Sequence, residues 1–219
     1  MKVYIKTLDI DMNISPDETN VLVLEGAPAY RECIQELLVS VESDTDEWIL
    51  SDNEKILKKS TQAGVITSVF NLECNSRRMQ KAVIDELSKI ATDEEHYKKT
   101  SQLLCEIEQY LYELEWNLDY NINVTCEDFN NIMKQCANGV LISEKLLDRV
   151  IEYIKLAARL LKQKLLIFVG AQRFFAQEEW LSIEQTANCE EIILLAIETE
   201  VVFDSKYKIV IDKDGCRVV

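Results

Sequence analysis

The sequence predicts an α/β fold in which a buried sheet is interrupted by a helical insertion. Three observations carry this. Short runs of apolar, often β-branched residues recur at 21–24, 65–70, 165–169 and 192–197, as strands covered on both faces do. Helical stripes follow or separate them. From Ser76 to about Asn138 no convincing strand occurs, only helical periodicity.

Taken in order, Val3 and Ile5 alternate with Lys2, Tyr4 and Lys6 as a first strand, and 21–24 is a buried strand that turns at Glu25-Gly26. Residues 29–41 read as a helix with Ile34, Leu37 and Leu38 on one face, and 65–70, after Gly64, as a second buried strand. Met79, Val83, Leu87 and Ile90 mark the next helix. Leu104, Ile107, Leu111, Leu114 and Leu118 mark a longer one, whose 3-4-3-4 spacing is a narrow seam of coiled-coil type. Phe129, Ile132, Met133 and Cys136 make a third helix, stopped by Asn138-Gly139. Ser143 is placed to N-cap the following helix, whose stripe (Leu147, Val150, Ile151, Ile154, Ala158, Leu161) leads into the strongly apolar strand 165–169. Residues 177–187 read as helix and 192–197 as strand; 207–211 and 216–219 form a hairpin turned at Asp212-Lys213-Asp214-Gly215.

The chain of 219 residues is 47% hydrophobic, with two prolines and five glycines, so it has core enough for a compact protein and little room for linkers. Seven scattered cysteines with no C-x-x-C pair read as small core residues kept reduced. With no apolar leader at the N-terminus and no membrane-length run, the protein reads as cytoplasmic.

Two strand-end glycines invite a nucleotide reading, yet Leu24-Glu25-Gly26-Ala27-Pro28 and Phe168-Val169-Gly170-Ala171-Gln172 lack the further glycines, the lysine and the Ser/Thr of a phosphate loop. His96, the single histidine, sits at the polar start of the long helix and reads as a solvated side chain. No residue pattern points to catalysis.

The formal net charge of -15 is segregated. From Cys105 to Asn130 there are seven acids and no base, whereas 145–173 carries seven bases against Asp148 and Glu152. As a bulk number the charge opposes polyanionic partners; its segregation leaves them open. Asp119-x-Asn121-x-Asn123, with Thr125 and Glu127 following, sets hard oxygen ligands at alternate positions as the first half of a calcium loop does, although Val124 stands where such a loop has glycine. Asp9-x-Asp11-x-Asn13 is similar and fails likewise. Two basic groups are candidates for phosphate contacts: Arg77, Arg78 and Lys81, within about one and a half helical turns, and Lys155, Arg159 and Lys162 on one helical stripe. The second also fits a plain dipole arrangement, with acids at the start of the helix and bases at its end.

Several segments in order, Asn20-Val21-Leu22-Val23-Leu24-Glu25, Glu73-x-Asn75-Ser76-x-x-Met79-x-Lys81, Leu118-Asp119-Tyr120-Asn121, Lys164-Leu165-Leu166-Ile167-Phe168-Val169 and Tyr207-x-Ile209-x-Ile211-Asp212-x-Asp214, resemble the CRISPR-associated ring protein of type II-A systems, the Csn-two family. The resemblance spans nearly the whole chain. It implies an α/β head like that of a P-loop ATPase but without a nucleotide site (1–72 and 143–219), interrupted by a helical extension (73–142). It further implies a homotetrameric ring that holds linear double-stranded DNA, supported by calcium ions, with no chemistry of its own. Such a ring acts in CRISPR adaptation beside the integrase and the RNA-guided nuclease. By position, the family's DNA-binding lysine corresponds to Lys81, with Arg77 and Arg78 extra here; Lys155 and Arg159 of the helical stripe are the further DNA-binding candidates. The family's acidic, metal-holding stretch corresponds to Leu118-Asp119-Tyr120-Asn121 with Glu115 upstream, which makes Glu115, Asp119 and Asn121 the candidate ligands, with Asn123 and Glu127 as alternatives. Asn121 stands where the family has an acid, and Gln163 interrupts the basic run before the strand at 165–169. A degenerate NTPase-like enzyme and a helical oligomeric adaptor that meets no nucleic acid are the other readings left open.

Overall fold

The computed structural model describes residues 1–53, 55–119, 129–136 and 139–218. Among them the element order is β1 (Lys2–Ile5), β2 (Ile10–Asn13), β3 (Asn20–Leu24), α1 (Ala27–Ser43), β4 (Trp48–Asp52), β5 (Lys55–Ile56), α2 (Lys59–Gln62), β6 (Ala63–Ile66), α3 (Arg77–Ala91), α4 (Tyr97–Glu115), α5 (Phe129–Cys136), α6 (Leu146–Arg159), β7 (Leu165–Val169), α7 (Gln177–Cys189), β8 (Ile193–Glu198) and β9 (Lys208–Ile211). The protein is mixed α/β. The chain divides into two compact units, Met1–Cys74 with Ile142–Val219, and Asn75–Leu141.

The first unit is built on a five-stranded sheet in the order β6-β7-β8-β3-β9, parallel at every pairing. Its strands are continuous apolar runs because both faces are covered. Leu22, Leu24, Leu165, Ile167, Leu195 and Ile197 face α1 and a second sheet, where they pack with Cys33, Leu37, Val3, Ile5, Trp48 and Leu50. Val21, Val23, Leu166, Phe168, Leu194 and Ala196 face α6 and α7, against Val150, Ile154, Ala157, Trp180, Ile183 and Ala187. Every one of these side chains is buried, each contributing about 1.5–3 kcal/mol where a Val, Leu, Ile or Phe is fully withdrawn from water.

The second sheet, β2-β1-β4-β5, is antiparallel throughout and was not foreseen beyond its first strand. Asp11 and Asn13, read from the sequence as spaced oxygen ligands, are the exposed positions of β2, paired with Tyr4 and Lys2, while Ile10 and Met12 between them are buried. The alternation belongs to a strand pleat.

Other differences are local. The strand expected at 65–70 is β6, which ends at Ile66 because a turn follows, with the Asn71 N–H donating to Ser68 O; Gly64 lies inside it. Leu118 lies past the end of α4, in a turn closed by its N–H on Glu115 O (2.8 Å). Ser143 does not cap α6. Its hydroxyl accepts the Lys145 N–H (3.3 Å) and its own N–H donates to Glu152 Oε2 (2.9 Å), a turn that ends before the helix begins at Leu146. The cysteines are not uniformly core residues. Cys33 and Cys74 are buried, and burial pushes the Cys33 thiol up to about 12, but Cys105, Cys189 and Cys216 are exposed. Among the described residues, no helix is long and apolar enough to cross a membrane.

Candidate nucleic-acid interface

In the helical unit, α3 opens at Ser76, whose Oγ accepts the Met79 N–H (3.3 Å), a cap worth about 1 kcal/mol. Met79 is buried, so the first turns are anchored on one side. On the other, Arg77, Arg78 and Lys81 are all exposed. Arg77 and Lys81 are four residues apart and Arg78 and Lys81 three, so all three share one helix face. No acid stands in the first turn of α3. This inverts the dipole preference, since a helix N-terminus is already electropositive and each cation there is unfavourable by about 0.3–1 kcal/mol. Positive side chains at the electropositive end of a helix together suit an anion.

The entry to this helix is fixed by a side chain. Asn75 donates through Nδ2 to Val140 O (3.2 Å) and accepts the Val140 N–H on Oδ1 (2.8 Å). Gly139, at φ +123°, makes this possible: a Cβ there would lie 2.3 Å from Asn75 Oδ1. The stop expected at Asn138-Gly139 thus has Gly139 at a positive φ, while Asn138 lies outside the described residues.

The second basic group stands differently. Lys155 is exposed on α6. Arg159 makes a two-point ion pair with Glu190, Nε to Oε2 at 2.8 Å and Nη2 to Oε1 at 2.5 Å, and this pair holds the Glu190 carboxyl below its ordinary range. Arg149 is likewise occupied, donating to the carbonyls of Ser143, Phe70 and Glu144.

Of the acidic residues, Glu115 closes α4 and is half-buried, and Asp119 is exposed; Asn121, Asn123 and Glu127 lie outside the described residues. Among the described residues, no three His, Cys, Asp or Glu side chains converge to hold a metal ion. Carboxylate and amide oxygens are nonetheless the donor types that calcium takes.

The strand-end loops lack phosphate-binding chemistry. Gly26, before α1, is extended (φ -80°), and Gly170, at φ +61°, lies beneath the Tyr30 hydroxyl. Glu198 is fully buried at the end of β8 and accepts the Gln172 N–H (3.0 Å). Burial pushes its carboxyl up; the N–H groups of Gln172 and Ala171 and the Arg173 charge, 4.0 Å away, oppose that rise. A carboxyl group, not an open cradle of amides, fills this strand end. His96 hydrogen-bonds Asp93 (2.9 Å) just before α4 and is exposed.

Sequence reasoning found the α3 cluster through its helical spacing. It missed the clasp between Asn75 and Val140, whose one local sign was the unusual glycine at 139. It also missed the Arg159 and Glu190 pair, because partners 31 residues apart leave no spacing signature.

The fold and these contacts define a mixed α/β protein, with a helical unit inserted between the strands of its sheet and a basic first turn on that unit. The family model of the CRISPR-associated protein (Cas_Csn2) matches residues 40–215, and the chain belongs to that family. No curated protein matches the chain in a sequence comparison.

Proposed function

We propose that this protein is a non-catalytic, sequence-independent binder of linear double-stranded DNA in CRISPR adaptation, acting in the cytoplasm as a homotetrameric ring whose assembly calcium supports. The observation that carries the reading is the exposed trio Arg77, Arg78 and Lys81 on a helix start with no acid in its first turn, in a CRISPR-associated chain whose net charge is -15. Phosphate contacts of this kind fix register on a duplex without reading bases. Lys155 adds a further exposed base; Arg159 contributes only by leaving Glu190.

Self-association is supported by α4, which has no buried residue and leaves Ile107, Leu114 and, just beyond it, Leu118 about 40% exposed on one seam. Calcium would be held by Glu115 and Asp119 with Asn121, Asn123 and Glu127, neutralising carboxylates that repel each other and the DNA. The unit made of β3, Gly26 and α1 within a parallel sheet supports the reading of the first unit as a P-loop-ATPase-like head that has no nucleotide site. The integrase complex and the RNA-guided nuclease of adaptation are the partners this role implies.

The test is a gel shift on linear and closed-circular duplexes, with calcium or a chelator, beside size-exclusion of the free protein. Linear DNA should shift, closed circles should not, and chelation should reduce both the shift and the assembled species. Absence of any shift on linear DNA at low salt with calcium refutes the reading.

A further inference from the structure

We propose that Asn75 is a positioning residue for the α3 phosphate contacts, acting through Val140 and depending on glycine at 139. The proposal rests on the DNA-binding reading above and adds a residue that need not touch DNA. The Asn75 amide pairs with the Val140 peptide at two points, 2.8 and 3.2 Å, as one strand pairs with another. It joins chain positions 65 residues apart, near the two ends of the helical unit Asn75–Leu141. Ser76, the next residue, is the N-cap of α3, and Arg77, Arg78 and Lys81 follow within two turns.

Direction follows from this connection. A two-point pair fixes the plane of the Asn75 side chain, which limits the backbone leading into the cap, and the cap sets where the first turn begins. Met79, buried three residues on, holds the other side of that turn. The bases therefore project from a helix start fixed at two places, so long side chains lose less freedom on meeting phosphate. Gly139 belongs to the same device. Its φ of +123° disfavours any other residue, and a methyl group there would meet the amide oxygen at 2.3 Å.

A double-mutant cycle on Asn75→Ala and Gly139→Ala tests the proposal, using the full-length protein with calcium, a fluorescent linear duplex and a salt series. Each single variant should weaken binding by about tenfold, the equivalent of one mis-set charge-assisted hydrogen bond, with the slope of log K against log salt unchanged. The double variant should bind no worse than the weaker single, because both changes break one contact. Hydrogen exchange at the amides of Val140 and Met79 should quicken in each. If Gly139→Ala binds as wild type while Asn75→Ala does not, Asn75 touches DNA itself and the proposal falls. A slope reduced by about one or more would mean that phosphate contacts were lost outright, also against it. Should Gly139→Ala fail to fold by circular dichroism, Asn75→Ala and Asn75→Ser decide by binding and exchange together. Wild-type protein that binds no duplex removes the DNA reading itself, an outcome separate from variants that bind as well as wild type.

Discussion

Replacing Arg77, Arg78 and Lys81 together by alanine separates electrostatic DNA binding from a structural role, because the two have opposite signs at this site. All three side chains are exposed at the start of α3, where their charge opposes the helix dipole. Removing them should leave the stability unchanged or raised by about 0.3–1 kcal/mol per cation, before any loss of contacts that Arg78 makes locally, and the melting temperature should follow. Binding should move the other way. Each phosphate neutralised releases about 0.9 of a counterion, so three contacts contribute a slope of about 2.7 per engaged chain. Between 50 and 200 mM salt that amounts to about a 40-fold loss of affinity in the wild type that the variant should not show. Fluorescence anisotropy on a labelled linear duplex across that range measures the slope, and a thermal melt of each protein measures the stability. A slope equal to that of the wild type would refute contact through α3, whatever the affinity at one salt concentration. A fall in melting temperature by many degrees would mean that the bases are structural.

Glu198→Gln should change the pH dependence of stability. Burial raises the Glu198 carboxyl above its ordinary value, so the stability it contributes is complete below the unfolded pKa, about 4.3, and is lost as pH rises through the folded one. The neutral glutamine escapes that loss, and the variant should gain on wild type in urea unfolding as pH climbs from about 4 towards 7; a constant difference would count against it. Gly64→Ala should destabilise by about 1–3 kcal/mol, since a Cβ would lie 2.8 Å from Leu166 Cδ2 and 2.9 Å from Gln163 Oε1 in a packed strand; an unchanged urea midpoint would contradict the packing. Arg159→Ala should cost about 1–3 kcal/mol, more than a fully exposed pair, because the Glu190 side chain that loses its two hydrogen bonds is only 11% exposed. It should let the Glu190 carboxyl titrate at higher pH by NMR and leave the salt slope of DNA binding unchanged.

What the sequence revealed depended on how each element is stabilised. β3, β7 and β8 are buried on both faces, so their signal is an unbroken apolar run that survives any context. β1, β2 and β4 are short and half-covered, and four or five residues of alternation are easily mistaken for something else. At β2 the exposed Asp11 and Asn13 mimicked ligand spacing because a strand and a calcium loop both use alternate residues. The same limit governs the candidate site. Arg77, Arg78 and Lys81 are neighbours on one helix, so their juxtaposition is written locally. Asn75 with Val140, and Arg159 with Glu190, are far apart in the chain and are brought together only by folding.

The basic block at 145–173 shows why charge counted along a chain differs from charge offered to a ligand. Its excess of bases resembles a polyanion-binding stripe in sequence, yet several of its cations are engaged within the protein. Arg149 holds three backbone carbonyls, Arg159 holds Glu190, Lys164 stands 3.8 Å from Asp52, and Arg173 lies between Thr199 and the buried Glu198. Drawing any of them to a phosphate would leave a carboxylate or carbonyl behind, and at Glu198 that group is fully buried. At the start of α3 the exposed bases stand where the helix dipole opposes their charge, so an approaching anion relieves that repulsion. A count of seven bases along 145–173 therefore overstates the charge that block can offer a ligand, because Arg149, Arg159, Lys164 and Arg173 are already engaged within the fold.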